Sequence, residues 1–269
     1  MSNLRASRGG VKSFDPSEAL RALHLFRELV RRDLSVRFTG SALGVAWAVL
    51  QPLTLVAVYW FVFSVMIPRG PAAGNPSYVY FLIAGLIPWI GVNEGLIRAT
   101  TSVVDNASVV RRMPLRSDLL VMVPIASAIF FQTIALLLFS IFLLVKGKPL
   151  GGLWLLPPVL VVQFIAQAGI AFFLSAMYVF FRDVLQVVSF VLSVVFYLSP
   201  ILYGVQGRFQ LFFAWNPMTP LLGLFRSALL YEPLPAPGSI VFLLTFALLT
   251  FVGGAVFFRR AQPNLVDLI

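Results

Sequence analysis

The chain has 269 residues, of which 59% are hydrophobic and 11% charged, and its formal net charge is +10. A soluble domain has about 25% charged residues, so this composition excludes an ordinary soluble fold. The absence of cysteine excludes disulfides, cysteine-bound metals and a cysteine nucleophile.

Residues 1–18 are polar and are expected to be flexible. Residues 20–38 are predicted to form an amphipathic helix in the membrane surface, because apolar residues gather on one side of the helix and basic residues on the other. The apolar side contains Leu20, Leu23, Phe26, Val30 and Leu34. Arg27, Asp33 and Arg37 interrupt that apolar arc. The alternative is a solvated basic flank of the first membrane span.

Six long apolar runs follow, and each approaches or exceeds the roughly 20 helical residues needed to cross a hydrocarbon core. They lie at 43–67, 78–97, 119–145, 157–181, 184–203 and 239–258. The runs are continuous rather than alternating, which favours helices over a β-barrel. We therefore expect an all-α integral membrane protein, with an N-terminal segment at 1–38 and a domain of six transmembrane helices at 39–269.

The loops between the runs differ in positive charge. Fifteen of the twenty Lys and Arg residues fall on one side of the predicted membrane and five on the other. The positive-inside rule places both termini in the cytoplasm. The same distribution removes the argument that a basic chain binds nucleic acid. We see no removable signal peptide in the first 38 residues.

The longest loop on the cytoplasmic side is 98–118. Ser102 and Asp105 resemble a helix start, since a hydroxyl caps free N–H groups and a carboxylate favours the positive helix end. Apolar residues stand here among polar neighbours: Val103, Val104, Val109, Val110 and Met113. A short helix with exposed apolar residues indicates a protein partner. The alternative is a helix packed on its own bundle.

The outer segment 204–238 is rich in proline, and its apolar middle is too short to span a membrane. It is typical of a re-entrant or interfacial helix pair, and Pro200 is expected to break the helix before it. Irregular backbone at this depth is tolerated only where protein or water satisfies it. This segment is therefore predicted to line a cavity or an exit.

Few polar side chains stand inside the runs. Glu94 indicates a cavity or proton-relay residue, or else a carboxylate paired with Arg98 four residues on. Gln163 and Gln167 share one helix face and favour interhelical hydrogen bonds over a ligand site. The single histidine, His24, is expected to be solvated.

The aromatic residues are numerous, with 26 Phe, 7 Tyr and 5 Trp. Most are expected to face lipid or core. The clusters Tyr59-Trp60-Phe61 and Phe196-Tyr197 could also line a channel, because flat rings stack on sugar rings and impose little directional register.

The motifs of several function classes are missing. The sequence contains no Gly-x-x-x-x-Gly-Lys-Ser/Thr loop for ATP and no Gly-x-Ser-x-Gly turn. We expect no catalytic residue, cofactor or metal in this chain. A membrane enzyme acting on a lipid-linked sugar would need paired acidic or His/Asp groups. A proton-coupled transporter would need inverted repeats and several buried ionisable groups.

Several stretches, in order along nearly the whole chain, resemble the permease subunit of bacterial ABC-2-type polysaccharide exporters, which include the O-antigen, capsule and teichoic-acid exporters. They are residues 29–53, Ala84 to Trp89, Asn106 to Pro114, the turn Phe181-Arg182-Asp183-Val184, and Trp215-Asn216-Pro217 with Arg226.

The resemblance implies a pathway formed by two copies of the chain in the bacterial inner membrane, with two separate ATPase subunits that bind ATP and Mg. It implies transport of an undecaprenyl-diphosphate-linked glycan to the outer face. A different cargo, such as a lipid or drug, is the nearest alternative.

The resemblance also implies roles for individual residues. Residues 99–113 would be a coupling helix that enters the ATPase. The implied ATPase contacts are Val103, Val104, Asn106, Val109, Val110, Arg111, Arg112, Met113, Arg182 and Asp183. The arginines of the surface helix would attract the lipid pyrophosphate, since arginine forms bidentate hydrogen bonds to phosphate. The implied substrate residues are Arg27, Arg31, Arg32, Arg37, Tyr59, Trp60, Glu94, Phe196 and Tyr197.

Overall fold

The computed structural model describes residues 16–37, 44–62, 66, 76–112, 117–204 and 213–268. Within these ranges the chain is helical and contains no strand. The α-helices are α1 (Pro16–Val36), α2 (Trp47–Phe61), α3 (Pro76–Asp105), α4 (Ala107–Arg112), α5 (Ser117–Val145), α6 (Leu156–Phe180), α7 (Val184–Leu198), α8 (Met218–Leu230) and α9 (Pro237–Leu268). Of the segment 1–18 that was predicted to be flexible, residues 1–15 lie outside the described residues, as does Met113. Residues 16–18 belong to α1, so the prediction of flexibility is wrong for them.

The centre of the molecule is formed by α3, α5 and α6, which pack on one another. Short connections join the ends of these long helices, so α5 runs antiparallel to both α3 and α6. The interior is filled by large aliphatic and aromatic side chains, including Leu82, Ile83, Ile125, Leu136 and Phe139. We call the end where α3 leads into α4 the α4 end, and the opposite end, where α8 lies, the α8 end.

Within the described ranges, four helical segments are long and apolar enough to cross a membrane: Tyr78–Asp105, Ser117–Val145, Leu153–Phe180 and Pro237–Pro263. Two shorter apolar helices, Val184–Leu198 and Met218–Leu230, accompany them. The all-helical membrane fold predicted from the apolar runs is therefore confirmed in its coarse form.

Each of the six predicted runs corresponds to a helix, but the helix ends differ from the ends of the runs. The helix of the second run continues to Asp105, and that of the sixth continues to Leu268. Charged and polar residues are costly within the hydrocarbon but extend a helix readily in water, so hydropathy marks mainly the apolar part of each helix. In the fifth run the helix stops at Leu198, before Pro200, as predicted.

The helices α6 and α9 pack through two glycines. A Cβ atom on Gly254 would lie 2.0 Å from the carbonyl oxygen of Gly169, and a Cβ atom on Gly169 would lie 2.3 Å from the backbone nitrogen of Phe251. Small residues allow such close backbone approach between membrane helices. Both positions are glycine because the packing leaves no space for a side chain there.

The outer surface carries many exposed apolar side chains. On α5 they include Leu137, Ile141 and Leu144, and on α9 they include Leu248 and Leu249. Water would oppose so large an apolar surface, whereas lipid tails accept it. These faces of α5 and α9 are therefore suited to contact with lipid.

Candidate functional site

The helix α1 packs against α5, with a face that differs from the predicted one. Leu20 and Leu23 are exposed, whereas Phe26, Val30 and Leu34 are half-buried. That these five residues form an apolar side lying in the membrane surface stays a prediction. The half-buried residues follow helical spacing instead: Ala22, Leu25, Phe26, Leu29, Val30, Asp33, Leu34 and Arg37. Of the three charges that interrupted the apolar arc, Asp33 and Arg37 thus belong to the packing face, whereas Arg27 is exposed.

A groove of about 420 Å³ lies between α1 and α5. Its lining residues are Arg27, Val30, Arg31, Leu34, Ser35, Phe130 and Phe131. Arg27 and Arg31 are one helical turn apart and are exposed, while the Phe130 ring is 49% exposed. The groove therefore combines two cations with an aromatic wall, which suits an amphiphile that has an anionic head.

The four predicted arginines fall into three environments. Arg27 and Arg31 line the groove, whereas Arg32 is exposed and is not part of its lining. Arg37 points to α3, where its guanidinium pairs with Glu94 and lies 4.2 Å from the centre of the Phe131 ring.

Glu94 stands in a cluster of four charges between α1 and α3. Arg98 donates two hydrogen bonds to Asp33, at 2.7 and 2.9 Å. Arg98 Nη1 also lies 3.7 Å from Glu94 Oε1. The alternative reading of Glu94, a carboxylate paired with Arg98, is confirmed, and Glu94 pairs with Arg37 as well. The other reading, a cavity or proton-relay residue, stays a prediction.

A ladder of three buried glutamines joins α3, α5 and α6. Gln132 and Gln163 exchange two hydrogen bonds at 2.8 and 2.7 Å, and Gln163 donates a third to Gln167 at 3.2 Å. Gln167 donates to the backbone of Val92 at 3.1 Å. The predicted interhelical role of Gln163 and Gln167 is confirmed. Gln132 was missed, although a lone amide inside the third apolar run was the available signal.

The segment 99–113 is divided between two helices. Residues up to Asp105 belong to α3, and Ser102 is buried within it and donates to the Ala99 carbonyl at 2.8 Å. The predicted helix start at Ser102 is therefore wrong. The helix begins far upstream at Pro76. It continues through this segment because the apolar residues on its packed face extend that far. After Asn106, α4 adds six residues.

The apolar residues expected to be exposed near α4 behave differently from one another. Val103 and Val110 are buried within the chain, and Val104 packs against the core. Their predicted exposure is wrong, because Val103 and Val104 belong to the packed helix α3 and Val110 of α4 is buried as well. The alternative, a helix packed on its own bundle, is confirmed for these residues. The exposed side chains here are Asp105 and Ser108. The side chains of Val109, Arg111 and Arg112 lie outside the described part.

The turn between α6 and α7 lies at the same end as α4, since α3 and α6 both end there. Arg182 and Asp183 are exposed. The Arg182 guanidinium lies 5.1 Å from the centre of the Tyr178 ring. Among the ion pairs of the described residues, no Arg182–Asp183 pair is found.

At the α8 end, polar side chains fix the backbone where α7 stops. Asn216 donates to the Leu198 carbonyl at 3.0 Å. The buried Arg226 donates to the Pro200 carbonyl at 2.7 Å, and its guanidinium lies 3.4 Å from the centre of the Phe81 ring. These bonds satisfy carbonyl groups that the broken helix leaves free.

An apolar cavity of about 370 Å³ lies behind α7. It is bordered by residues of α3, α6, α7, α8 and α9, among them Trp89, Ile170, Leu192, Leu221 and Phe246. The prediction that 204–238 lines a cavity is confirmed for Asn216, Pro217, Met218 and Leu221. Residues 205–212, which would form the first arm of the predicted helix pair, lie outside the described residues.

The predicted aromatic clusters are on α2 and α7, which both pack against α3. Tyr59 is half-buried against the core. The Phe196 ring is 5.7 Å from that of Trp89, whereas Tyr197 is 66% exposed. The Trp60 side chain is outside the described part. An exposed apolar stripe at helical spacing continues along α7 through Val187, Phe190, Val191 and Val194.

The family model of the ABC-2 type transporter matches residues 24–230, which reach from α1 to the end of α8. This chain belongs to the ABC-2 type transporter family. The match includes the groove, the four-charge cluster, the glutamine ladder and α4. The resemblance stated from the sequence is thereby confirmed at the family level.

Several curated members of the family are similar to the chain over most of their length. The O-antigen export system permease protein RfbA of Klebsiella pneumoniae is 26% identical over 237 residues, which is 85% of this chain and 89% of the relative. RfbA of Myxococcus xanthus is 24% identical, with 93% and 98% covered. The polysialic acid transport protein KpsM of Escherichia coli is 22% identical, with 89% and 94% covered.

Proposed function

We propose that this ABC-2 chain is the membrane permease of an ATP-driven exporter that moves undecaprenyl-diphosphate-linked polysaccharide, of the O-antigen type, across the bacterial inner membrane. The relatives that cover most of the chain are named for O-antigen export and polysialic acid transport. The groove between α1 and α5 is the observation that supports this cargo, since an anion-binding surface and an apolar surface lie side by side in it.

The chemistry of the groove matches the head of such a lipid. Arg27 and Arg31 offer guanidinium donors, which bind phosphate oxygens in pairs. The rings of Phe130 and Phe131 offer an apolar wall for the first isoprene units. In this proposal the glycan then follows a pathway bordered by exposed aromatic rings such as Tyr197.

The pathway requires a second copy of the chain and six spans in each copy. The exposed apolar stripe of α7 supports a partner surface, because α7 has few neighbours within its own chain. We assign α2 and α7 to the first and fifth spans, with both termini in the cytoplasm. The α4 end then faces the cytoplasm, as the positive-inside rule requires.

The driving force comes from two ATPase subunits, which bind ATP and Mg and dock at the α4 end. Asp105 and Ser108 are exposed there, as are Arg182 and Asp183 in the neighbouring turn. This surface replaces the apolar contact expected from Val103 and Val110. Closure of the ATPase pair on ATP would push on α4 and the turn, and no covalent chemistry occurs in this chain.

The groove assignment is tested by reversing its charges. In the complex with its ATPase, reconstituted in vesicles, Arg27→Glu and Arg31→Glu should each weaken binding of undecaprenyl diphosphate by about tenfold, since a hydrogen bond to a charged group contributes about 1.5–3 kcal/mol. Surface glycan in cells that carry the variants should fall in parallel. Binding is measured by titration calorimetry.

Arg32→Glu is the matched control, because it changes the same charge on the same helix outside the groove. It should reduce binding and export by less than either groove variant. Equal losses for all three substitutions would mean that the basic helix acts only through its overall charge, and the groove assignment would then be wrong.

A different ABC-2 cargo is favoured by one observation, the apolar cavity behind α7. Its lining suits a lipid tail or an apolar drug better than a sugar. Replacing Leu192, which borders the cavity, with Trp should impair export of such a cargo. Under the polysaccharide proposal, the same substitution leaves export of glycan near the wild-type rate.

A further inference from the structure

The four-charge cluster between α1 and α3 has a regular order of charges. The acid Asp33 on α1 is followed four residues later by the base Arg37, directly after the end of that helix; on α3, Glu94 is followed by Arg98. The pairs form in reversed order, Asp33 with Arg98 and Arg37 with Glu94. Two helices that pair in this order run antiparallel and have one register. We call this cluster the charge clasp.

The clasp is partly shielded from solvent. The side chains of Arg37 and Glu94 are 20% and 22% exposed, and those of Arg98 and Asp33 are 33% and 23% exposed. Screening by salt is weaker for partly buried pairs than for exposed ones. Loss of one member leaves its partner unpaired in a poorly solvated place, so the four charges depend on one another.

One end of the clasp touches the groove. The Arg37 guanidinium lies over the ring of Phe131, which is itself a wall of the groove. Asp33 and Arg37 also follow Arg27 and Arg31 on the same helix. The clasp therefore fixes the rotation of α1 about its own axis, and this rotation turns the two groove arginines toward Phe131.

The other end of the clasp leads to α4. The helix α3 continues unbroken from Glu94, through Arg98, to Asp105. Glu94 and Asp105 are about 16 Å apart along the helix axis at 1.5 Å per residue. The backbone N–H of Asn106 binds the Ser102 carbonyl at 3.2 Å, and that of Val110 binds the Asn106 carbonyl at 3.0 Å. A displacement of α4 is therefore transmitted to α3, because these hydrogen bonds leave the two helices little freedom to move relative to each other.

We propose that Asp33, Arg37, Glu94 and Arg98 are positioning residues that couple α4 to the groove, with α3 as the rigid connection between them. The clasp holds α1 in register on α3, so that movement of α4 shifts α1 and its two groove arginines together. This inference rests on the proposed function for its consequence in export, but the clasp itself is tested without transport.

The first test measures the position of α1 alone. The chain has no cysteine, so Leu29→Cys, at a position packed against the core, gives a single reactive thiol. In the full complex in vesicles, Arg37→Glu and Glu94→Arg should each speed maleimide labelling of this thiol by roughly tenfold, and the double exchange should restore the slow rate. Arg21→Glu, at an exposed position of α1, should leave it slow.

The second test measures export in cells and ATP hydrolysis by the purified complex. The single reversals should lower the amount of glycan exported per ATP hydrolysed by roughly tenfold. The charge exchange should restore export. Arg37→Gln, which removes the charge but fits the same space, is the second variant in case a reversal prevents membrane insertion. It should give an intermediate labelling rate and intermediate export.

Unchanged labelling in both reversals and in Arg37→Gln would overturn the clasp. Faster labelling with normal export would overturn the coupling, since the clasp would then only hold α1 in place. Failure of the wild-type complex to move glycan counts against the proposed function instead, and the labelling rates still decide whether the clasp exists.

Discussion

At the scale of single residues, the molecule is defined by the few polar side chains inside its apolar helices. The amides among them bind polar groups on another helix, as Gln163 does for Gln132. Gly91 makes the room, because a Cβ atom there would lie 1.9 Å from Gln132 Oε1. In lipid no water replaces such bonds, so each of these residues should be sensitive to substitution.

We expect Gln163→Leu to lower the free energy of unfolding by about 1–2 kcal/mol, because it leaves the buried Gln132 amide without its two hydrogen bonds. The double variant Gln132→Leu/Gln163→Leu should cost less than the sum of the single losses. Unfolding is followed in detergent with a denaturant series. Gln186→Leu, at an exposed position of α7, is the control, and equal losses at Gln186 and Gln163 would refute the ladder.

Sequence reasoning succeeded and failed at this scale for one physical reason. It identified Gln163, Gln167 and Glu94 because a polar residue in an apolar run is costly wherever it lies. It could not pair Asp33 with Arg98 or Arg37 with Glu94, which are separated by 65 and 57 residues. Those contacts depend on where α1 docks, and hydropathy does not contain that information.

At the scale of elements, helix existence followed from hydropathy, whereas helix faces did not. The six apolar runs each contain a helix, yet the packing face of α1 is rotated away from Leu20 and Leu23, and α4 turns Val110 inward. A short helix has too few residues for its pattern to decide which side is buried. Packing against the long helices decides it instead.

The contact between α6 and α9 offers a test with a neighbouring control. Gly254→Ala should destabilise the protein by about 1–3 kcal/mol, because the new methyl group meets the Gly169 carbonyl and forces the helices apart. Gly253→Ala should be neutral or slightly stabilising, since a Cβ atom there has open space around it. Melting temperatures in detergent compare the two variants, and a reversed order would contradict the described packing.

At the scale of the whole molecule, the proposed function is a transport pathway that is driven by separate ATPase subunits. The sequence lacks the phosphate-binding loop that ATP hydrolysis by this route requires, and the chain matches the ABC-2 type transporter family through α8. In the proposed function, the exposed faces at the α4 end and along α7 bind an ATPase and a second copy. Their use was predicted from resemblance, since composition alone indicates only a polytopic membrane protein.

The most direct test of the central claim is the rate of phosphate release from ATP in vesicles that contain undecaprenyl-diphosphate-linked glycan. With the chain alone, we predict no release above that of empty vesicles. With its cognate ATPase added, we predict hydrolysis together with movement of the glycan across the bilayer. Hydrolysis by the chain alone, or movement of the glycan without the ATPase, would contradict the account.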